Sequence, residues 1–282
     1  MQWLVEPFQY EFFRTGLSVA MLAGALCGLL GVYIVLRGMS YIGHGLSHAI
    51  FGGAVVSFVM QWNFYLGAGL WGFLTAVLIN QTARRTRIGA DAAIGVITTA
   101  SFAVGVALIS RYRSFTQSFD AALFGNILGV TWDEVAVVAG ITVLVAAVIL
   151  VAYKQLLFTT FDPEVAQVYG VRTQWIDTLF ALALAAAIIA SMQVLGVTLI
   201  AAALVIPAIT ARLLTDSFNR MVVYAVAIGV LCGALGMYLS FYVDIASGAT
   251  IVLLQSTCFV FALIVSGLRH QAGRRLAHVH VD

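Results

Sequence analysis

From Thr15 to Leu36 the chain runs 22 residues without a charged side chain. About 20 apolar residues at 1.5 Å per residue span a hydrocarbon core about 30 Å thick, so this stretch is long enough to cross a bilayer as a helix. Similar runs recur at about 46–61, 64–82, 90–110, 134–153, 175–191, 194–211, 221–241 and 249–268. That makes nine candidates, and dividing 46–82 and 175–211 differently gives eight or ten. The runs are unbroken rather than alternating, so they read as helices and not as barrel strands. Charged residues make up 9% of the 282 and hydrophobic residues 62%, with a mean hydropathy of +1.03. A soluble domain carries about 25% charge. The composition therefore calls for an all-α integral membrane protein, a bundle of about eight or nine transmembrane helices forming one domain over 1–282.

The first run is too long for a signal-peptide core, and no small-residue cleavage site follows it, so it is expected to be retained. The gap at 112–132 is moderately apolar and suggests a short interfacial or re-entrant helix around 120–129, and the aromatic-rich stretch 2–13 suggests an interfacial segment. Abundant glycine (26) against scarce proline (3) suits close helix packing in lipid. Cys27, Cys232 and Cys258 stand apart, without metal or redox spacing, and read as packing residues. A net charge of +2 gives no reason to expect nucleic acid.

With nine spans and an inner C-terminus, Arg37, Arg84, Arg85, Arg87, Lys154, Arg172, Arg212, Arg220, Arg269, Arg274 and Arg275 fall inside, and Arg14, Arg111 and Arg113 outside. Eleven against three obeys the positive-inside rule and sets the expected orientation, a multi-pass protein of the cell membrane with a cytoplasmic C-terminus.

Four stretches carry chemistry. In 159–171, TTFDPEVAQVYGV, Asp162 is a helix cap, Pro163 suits the first helical position, Glu164 suits the positive end of the dipole and Gly170 ends the helix. A short amphipathic helix outside the bilayer follows, either an ordinary loop helix or a docking helix for a cytoplasmic partner. No phosphate-binding loop of the G-x-x-x-x-G-K-[ST] type occurs, so any ATP must be handled by another subunit. In 194–211, Pro207 interrupts an apolar run, with Thr198 and Thr210 as candidates to satisfy the freed carbonyl. It reads as a structural kink or as a hinge beside a translocation path. Asp244, in SFYVDIASGATI, reads as a solvated loop carboxylate or as part of an outer gate.

The fourth stretch, GHGLSHA at 43–49, places His44 and His48 four apart on one helix face, close enough to hold one cation. Imidazole suits zinc and other first-row divalent ions, and small neighbours leave room for a packed helix. Two packing histidines are the competing reading, but an ionisable residue inside a span defaults to function. The His-x-x-x-His spacing is also that of zinc peptidases. They need Glu after the first His, and here that position is Gly45.

Taken together these stretches resemble the membrane permease of bacterial ABC transporters that import manganese, zinc or iron. The resemblance runs in family order through VYIVLRGMSYIGHGLSHAIFGG (32–53), DAAIGVI (91–97), FGNILGV (124–130), KQLLFTTFDPEVAQVYGV (154–171), VLGVTLIAAALVIPAITARL (194–213) and SFYVDIASGATIVL (240–253). It covers nearly the whole chain. It implies a dimer of permease subunits, expected to be a homodimer, in the compact fold shared with cobalamin and siderophore permeases. Two cytoplasmic ATP-binding subunits would dock on a coupling loop at about 155–174, through Phe161, Asp162, Pro163, Glu164 and Gly170. An extracytoplasmic binding protein would deliver the metal, and ATP on the partner would drive alternating access. The permease itself would be a transport subunit rather than an enzyme, with no permanent cofactor. The family's metal pair, Asp and His in G-D-x-x-S-H-A, maps onto His44 and His48. Histidine in place of the carboxylate makes the pair neutral and leans the cargo toward zinc over manganese, since manganese prefers oxygen ligands. Pro207 and Asp244 are candidate pathway or gate residues. The terminal His278 and His280 are a weaker metal candidate. Import of a metal chelate by the same fold, an intramembrane metalloprotease and a proton-driven transporter are the alternatives. A chelate needs a wider path, the protease lacks its base, and proton coupling wants carboxylates deep in the spans.

Overall fold

The computed structural model describes residues 5–85, 90–112, 125 and 127–279. A short 3-10 turn at Glu6–Gln9 leads into α1 (Glu11–Leu36), followed by α2 (Ile42–Val59), α3 (Phe64–Arg85), α4 (Ala90–Arg111) and α5 (Trp132–Val151). Two short helices, α6 (Tyr153–Phe161) and α7 (Pro163–Val168), precede α8 (Thr173–Leu214), α9 (Phe218–Val243) and α10 (Ser247–Val279). Among the described residues nine helices are long and apolar enough to span a membrane, at 11–36, 42–59, 64–83, 92–111, 132–151, 173–192, 194–214, 218–243 and 247–268. The protein is an all-α, multi-pass membrane protein. Helices serve because lipid offers no partner for backbone N–H and C=O groups, and a helix satisfies them internally. Most of the gap expected to hold an interfacial helix around 120–129 lies outside the described residues, and the described part carries only a 3-10 turn at Ile127–Gly129. His278 falls within α10, and His280 lies outside the described residues.

Two of the nine spans belong to one element. As a straight rod, the 42 residues of α8 would reach about 63 Å, twice a hydrocarbon core. Instead the chain doubles back at Gly196, whose φ 71 and ψ 162 fall in a region open essentially to glycine alone. Both arms end at the Arg37 end of α1. Asp177 of the first arm pairs with Arg37, and Ala208 and Ala211 of the second share a buried cluster with Val32. The apex is sealed within the protein. Val194 and Val197 are fully buried, Gly125 lies against the Val194 carbonyl, and Gly248 lies against Leu195.

The most buried helices are α1, α2 and the two arms of α8, with α3, α4, α5, α9 and α10 around them. Contact between spans is close where glycines meet. A Cβ on Gly24 of α1 would strike the backbone of Gly229 on α9, and a Cβ on Gly229 would strike Gly24 in return. On α2, Gly52 faces the backbone of Ser101 and Gly105 on α4, and Gly53 faces Trp71 on α3. In lipid, where apolar surface gains nothing by leaving solvent, such close approach is what dispersion attraction between helices requires. Cys232 and Cys258 join α9 to α10 with their sulfurs 3.9 Å apart, as free thiols.

Candidate functional site

The short turn between α1 and α2 sets the depth of the histidines. Gly31 of α1 and Gly43 of α2 both rest on Leu204, so they lie at about one level. Gly31 is five residues from the end of α1, about 8 Å at 1.5 Å per residue, and His48 is five residues further along α2. His48 therefore sits about 15 Å, nearly three helical turns, along the bundle from that end.

His44 and His48 share one face of α2, their ring centroids 4.5 Å apart and their planes at 78°. Rings at that centroid separation can each turn one nitrogen toward a shared ion, through bonds of about 2.0–2.1 Å. Both side chains are half-buried. The His48 ring meets the Phe102 ring of α4 edge-on at 5.0 Å, and His44 meets Tyr41 at 5.6 Å. Nδ1 of His48 is buried and has no hydrogen-bond partner. A buried polar atom left unpaired is costly, and a ligand that uses its lone pair removes that cost.

The histidine helix is fixed to the apex of the hairpin. Ser47, fully buried between the histidines, donates its hydroxyl to the His44 carbonyl at 2.8 Å and the Val197 carbonyl at 3.1 Å. Gly45, on the far side, accepts Ile94 and Thr98 of α4, where a Cβ would stand 2.5 Å from the Ile94 methyl. The pair is thus held between the broken helix and α4. Among the described residues no group of three or more His, Cys, Asp or Glu gathers to hold a metal ion. Two imidazoles are fewer than the four or more ligands that first-row divalent ions take.

The second predicted element forms as its residues require. Asp162 accepts the Val165 amide at 2.9 Å, Pro163 opens α7, and Gly170 at φ +79 ends it. Of α7 only Ala166 is buried; Phe161 is 61% exposed, Val168 85% and Tyr169 76%. Three large apolar side chains projecting around this turn-length helix, outside the spans, form a surface suited to a partner.

The remaining two candidates stand apart from these. Pro207 is buried within the second arm of α8, and the break in that element is at Gly196 rather than at the proline. The carbonyl freed by Pro207 belongs to Ala203; the Thr210 hydroxyl goes instead to Ile206 at 2.7 Å. Asp244 caps α9 in the left-handed conformation, φ 56 and ψ 45. It is exposed, and it lines a cavity of about 420 Å³ at the end opposite Arg37, with Phe12, Ser240 and Ser247. Sequence reasoning missed Gly196, Ser47 and Phe102. A glycine between two apolar runs was the available signal for the first, but nothing local marks the other two.

Comparison with known proteins places this architecture. A family model described as the ABC 3 transport family matches residues 9–266. The manganese transport system membrane protein MntC of Halalkalibacterium halodurans is 38% identical over 261 residues, covering 93% of this chain and 89% of the relative. The chelated iron transport system membrane protein YfeC of Yersinia pestis is 35% identical over 290 residues, covering 100% and 98%. Among solved structures, PsaBC from Streptococcus pneumoniae in complex with Fab superposes with a TM-score of 0.84 at 31% identity, covering 93% of this chain and 94% of that one.

Proposed function

The chain belongs to the ABC 3 transport family, a metal-type ABC permease, and from that premise we propose that it carries a divalent transition-metal ion into the cell by alternating access. The observation that supports this most is the His44–His48 pair, half-buried on α2 with an unpartnered Nδ1 on His48. The two imidazoles supply half or less of a coordination sphere. A second copy of the chain, presenting its own pair across a shared axis, completes it. The exposed small residues of α4 beside Phe102, Thr99, Ala100 and Ala103, leave room for that copy.

The Arg37 end of the bundle is the cytoplasmic one, as the lysine and arginine distribution favours. α7 then faces the cytoplasm and receives a separate ATP-binding subunit, Phe161, Val168 and Tyr169 entering its surface. The opposite end, with Asp244 and its cavity, receives an extracytoplasmic metal-binding protein. ATP is bound and hydrolysed on the partner, and no permanent cofactor is needed here.

The relatives named above are a manganese and a chelated-iron system. His44 shifts this chain's preference along the first-row series toward zinc, because a neutral nitrogen pair gives up the carboxylate that a hard cation favours. Uptake of radiolabelled manganese, zinc and iron by vesicles holding the full complex is the test. ATP-dependent accumulation of at least one bare ion is expected; accumulation only of an intact chelate would overturn the bare-ion reading. His44→Asp should raise manganese uptake severalfold relative to zinc, and an unchanged ratio would show that this position does not set selectivity.

A second expectation concerns α7. Gly170→Val forces a β-branched residue into φ +79, at a cost of about 1–3 kcal/mol. Misplacement of α7 should weaken recovery of the ATP-binding subunit with the permease by about tenfold or more, the equivalent of 1.4 kcal/mol. Metal binding at the histidines should persist. Full recovery of the partner would show that docking lies elsewhere.

A further inference from the structure

At the cytoplasmic end of α1 stands a buried arginine that the metal site and the docking surface do not explain. Arg37, its side chain 8% exposed, reaches two other elements at once. Nη1 donates to Asp177 Oδ1 at 2.8 Å on the first arm of α8, Nη2 to Thr159 Oγ1 at 3.0 Å and Nε to Thr160 Oγ1 at 3.0 Å on α6. The guanidinium also lies 4.7 Å above the Phe180 ring. Both threonine hydroxyls spend their protons on backbone carbonyls of α6, Thr159 toward Gln155 and Thr160 toward Leu156. Their lone pairs are thereby turned toward the arginine.

The arginine is rigidly joined to the histidine helix. Gly38, at φ +67, and Met39 close the end of α1 with amide bonds to the Val35 and Ile34 carbonyls, a Schellman turn. The Ile42 amide then bonds the Met39 carbonyl, and α2 begins. His44 follows Arg37 by seven residues. On the other side, α6 continues through Asp162, whose amide bonds the Phe158 carbonyl, into α7.

A cavity of about 360 Å³ has Thr159, Thr160 and Pro163 on one wall and Ile42 and Leu46 of α2 on another. Arg37 lines the same cavity, bonded to its α6 side. Arg37 bridges it.

We propose that Arg37 is the positioning residue through which displacement of α6 and α7 by the ATP-binding subunit reaches the histidine helix, the bonds to Thr159, Thr160 and Asp177 acting as the latch. The proposal rests on the importer reading above. A guanidinium is suited to the task because its planar fork holds several acceptors in fixed directions, whereas an ammonium acts as a point charge.

The test uses the full complex in vesicles and reads metal ions moved per ATP hydrolysed. Arg37→Lys keeps the charge beside Asp177 but loses the fork. Thr159→Val with Thr160→Val keeps the arginine–aspartate pair and removes only the two acceptors on α6. Each is expected to lower metal moved per ATP by at least about fivefold, the lower end of a coupling between two sites. ATP hydrolysis, recovery of the partner subunit and metal bound at the histidine pair should stay as in the unmutated complex. A merely structural arginine would alter yield and melting temperature but not the ratio. An unchanged ratio in the lysine variant, or in the valine pair should the lysine variant not assemble, overturns the proposal. If the unmutated complex shows no ATP-driven uptake at all, the importer reading fails and this inference with it, an outcome distinguishable because it appears without any substitution.

Discussion

His48→Ala is expected to cut metal accumulation by more than about a hundredfold, since loss of even an outer-shell partner of a metal ligand costs 10–100-fold. The permease should still insert, and it should still bind its ATP-binding subunit, because the ring occupies a half-buried position against Phe102 and not a fully packed one. The imidazole offers a buried Nδ1 with no hydrogen-bond partner, and alanine offers nothing in its place. Equilibrium binding of radiolabelled metal to the purified complex separates loss of the site from loss of fold, since a folded complex keeps its melting temperature. Uptake at the wild-type level would remove His48 from the coordination sphere, and with it the case for His44.

The second large effect lies in the contact between α1 and α9. Gly24→Leu must insert four carbons where even a Cβ would overlap the backbone of Gly229. The helices have to separate, which breaks the adjacent contact of Gly28 with Ala225 and of Gly233 with Ala20 as well. Overpacking of a well-filled interior costs about 1–3 kcal/mol and occasionally more, and a backbone-to-backbone contact belongs at the high end. The expected result is loss of most of the monodisperse protein and a fall in melting temperature of several degrees. Gly140→Leu is the control. A Cβ there meets nothing within 4 Å, so the same change in mass and hydrophobicity should leave yield and melting temperature as they were. Equal losses in both variants would show that the effect is one of insertion rather than of packing.

The spans were legible because their cause is local. Lipid demands about 20 apolar residues in a row, and that demand is written into each stretch by itself. The histidine pair was legible for the same reason, as a spacing of four on a helix is a statement about one turn. The α7 helix announced itself through Asp162, Pro163 and Gly170, each acting on its own neighbours. What sequence did not reveal depends on residues far apart. Pro207 reads as a kink or a hinge, yet the reversal of that element falls at Gly196, where Ser47 and Gly125 meet the apex. The partners of Arg37 lie 122–140 residues away in sequence. Asp244 could be placed at a span end but not beside a cavity, since Phe12 and Ser247 arrive from other helices.

The bare surface of α7 has a further consequence for biogenesis. Phe161, Val168 and Tyr169 project around α7, of whose own residues only Ala166 is buried. On the importer reading proposed above, a newly made subunit that has not yet met its partner carries an adhesive spot outside the bilayer, open to chaperones, proteases and other orphan copies. Cells that make this chain in excess of its companion should degrade the surplus, so that synthesis of the companion sets how many complete assemblies the membrane holds.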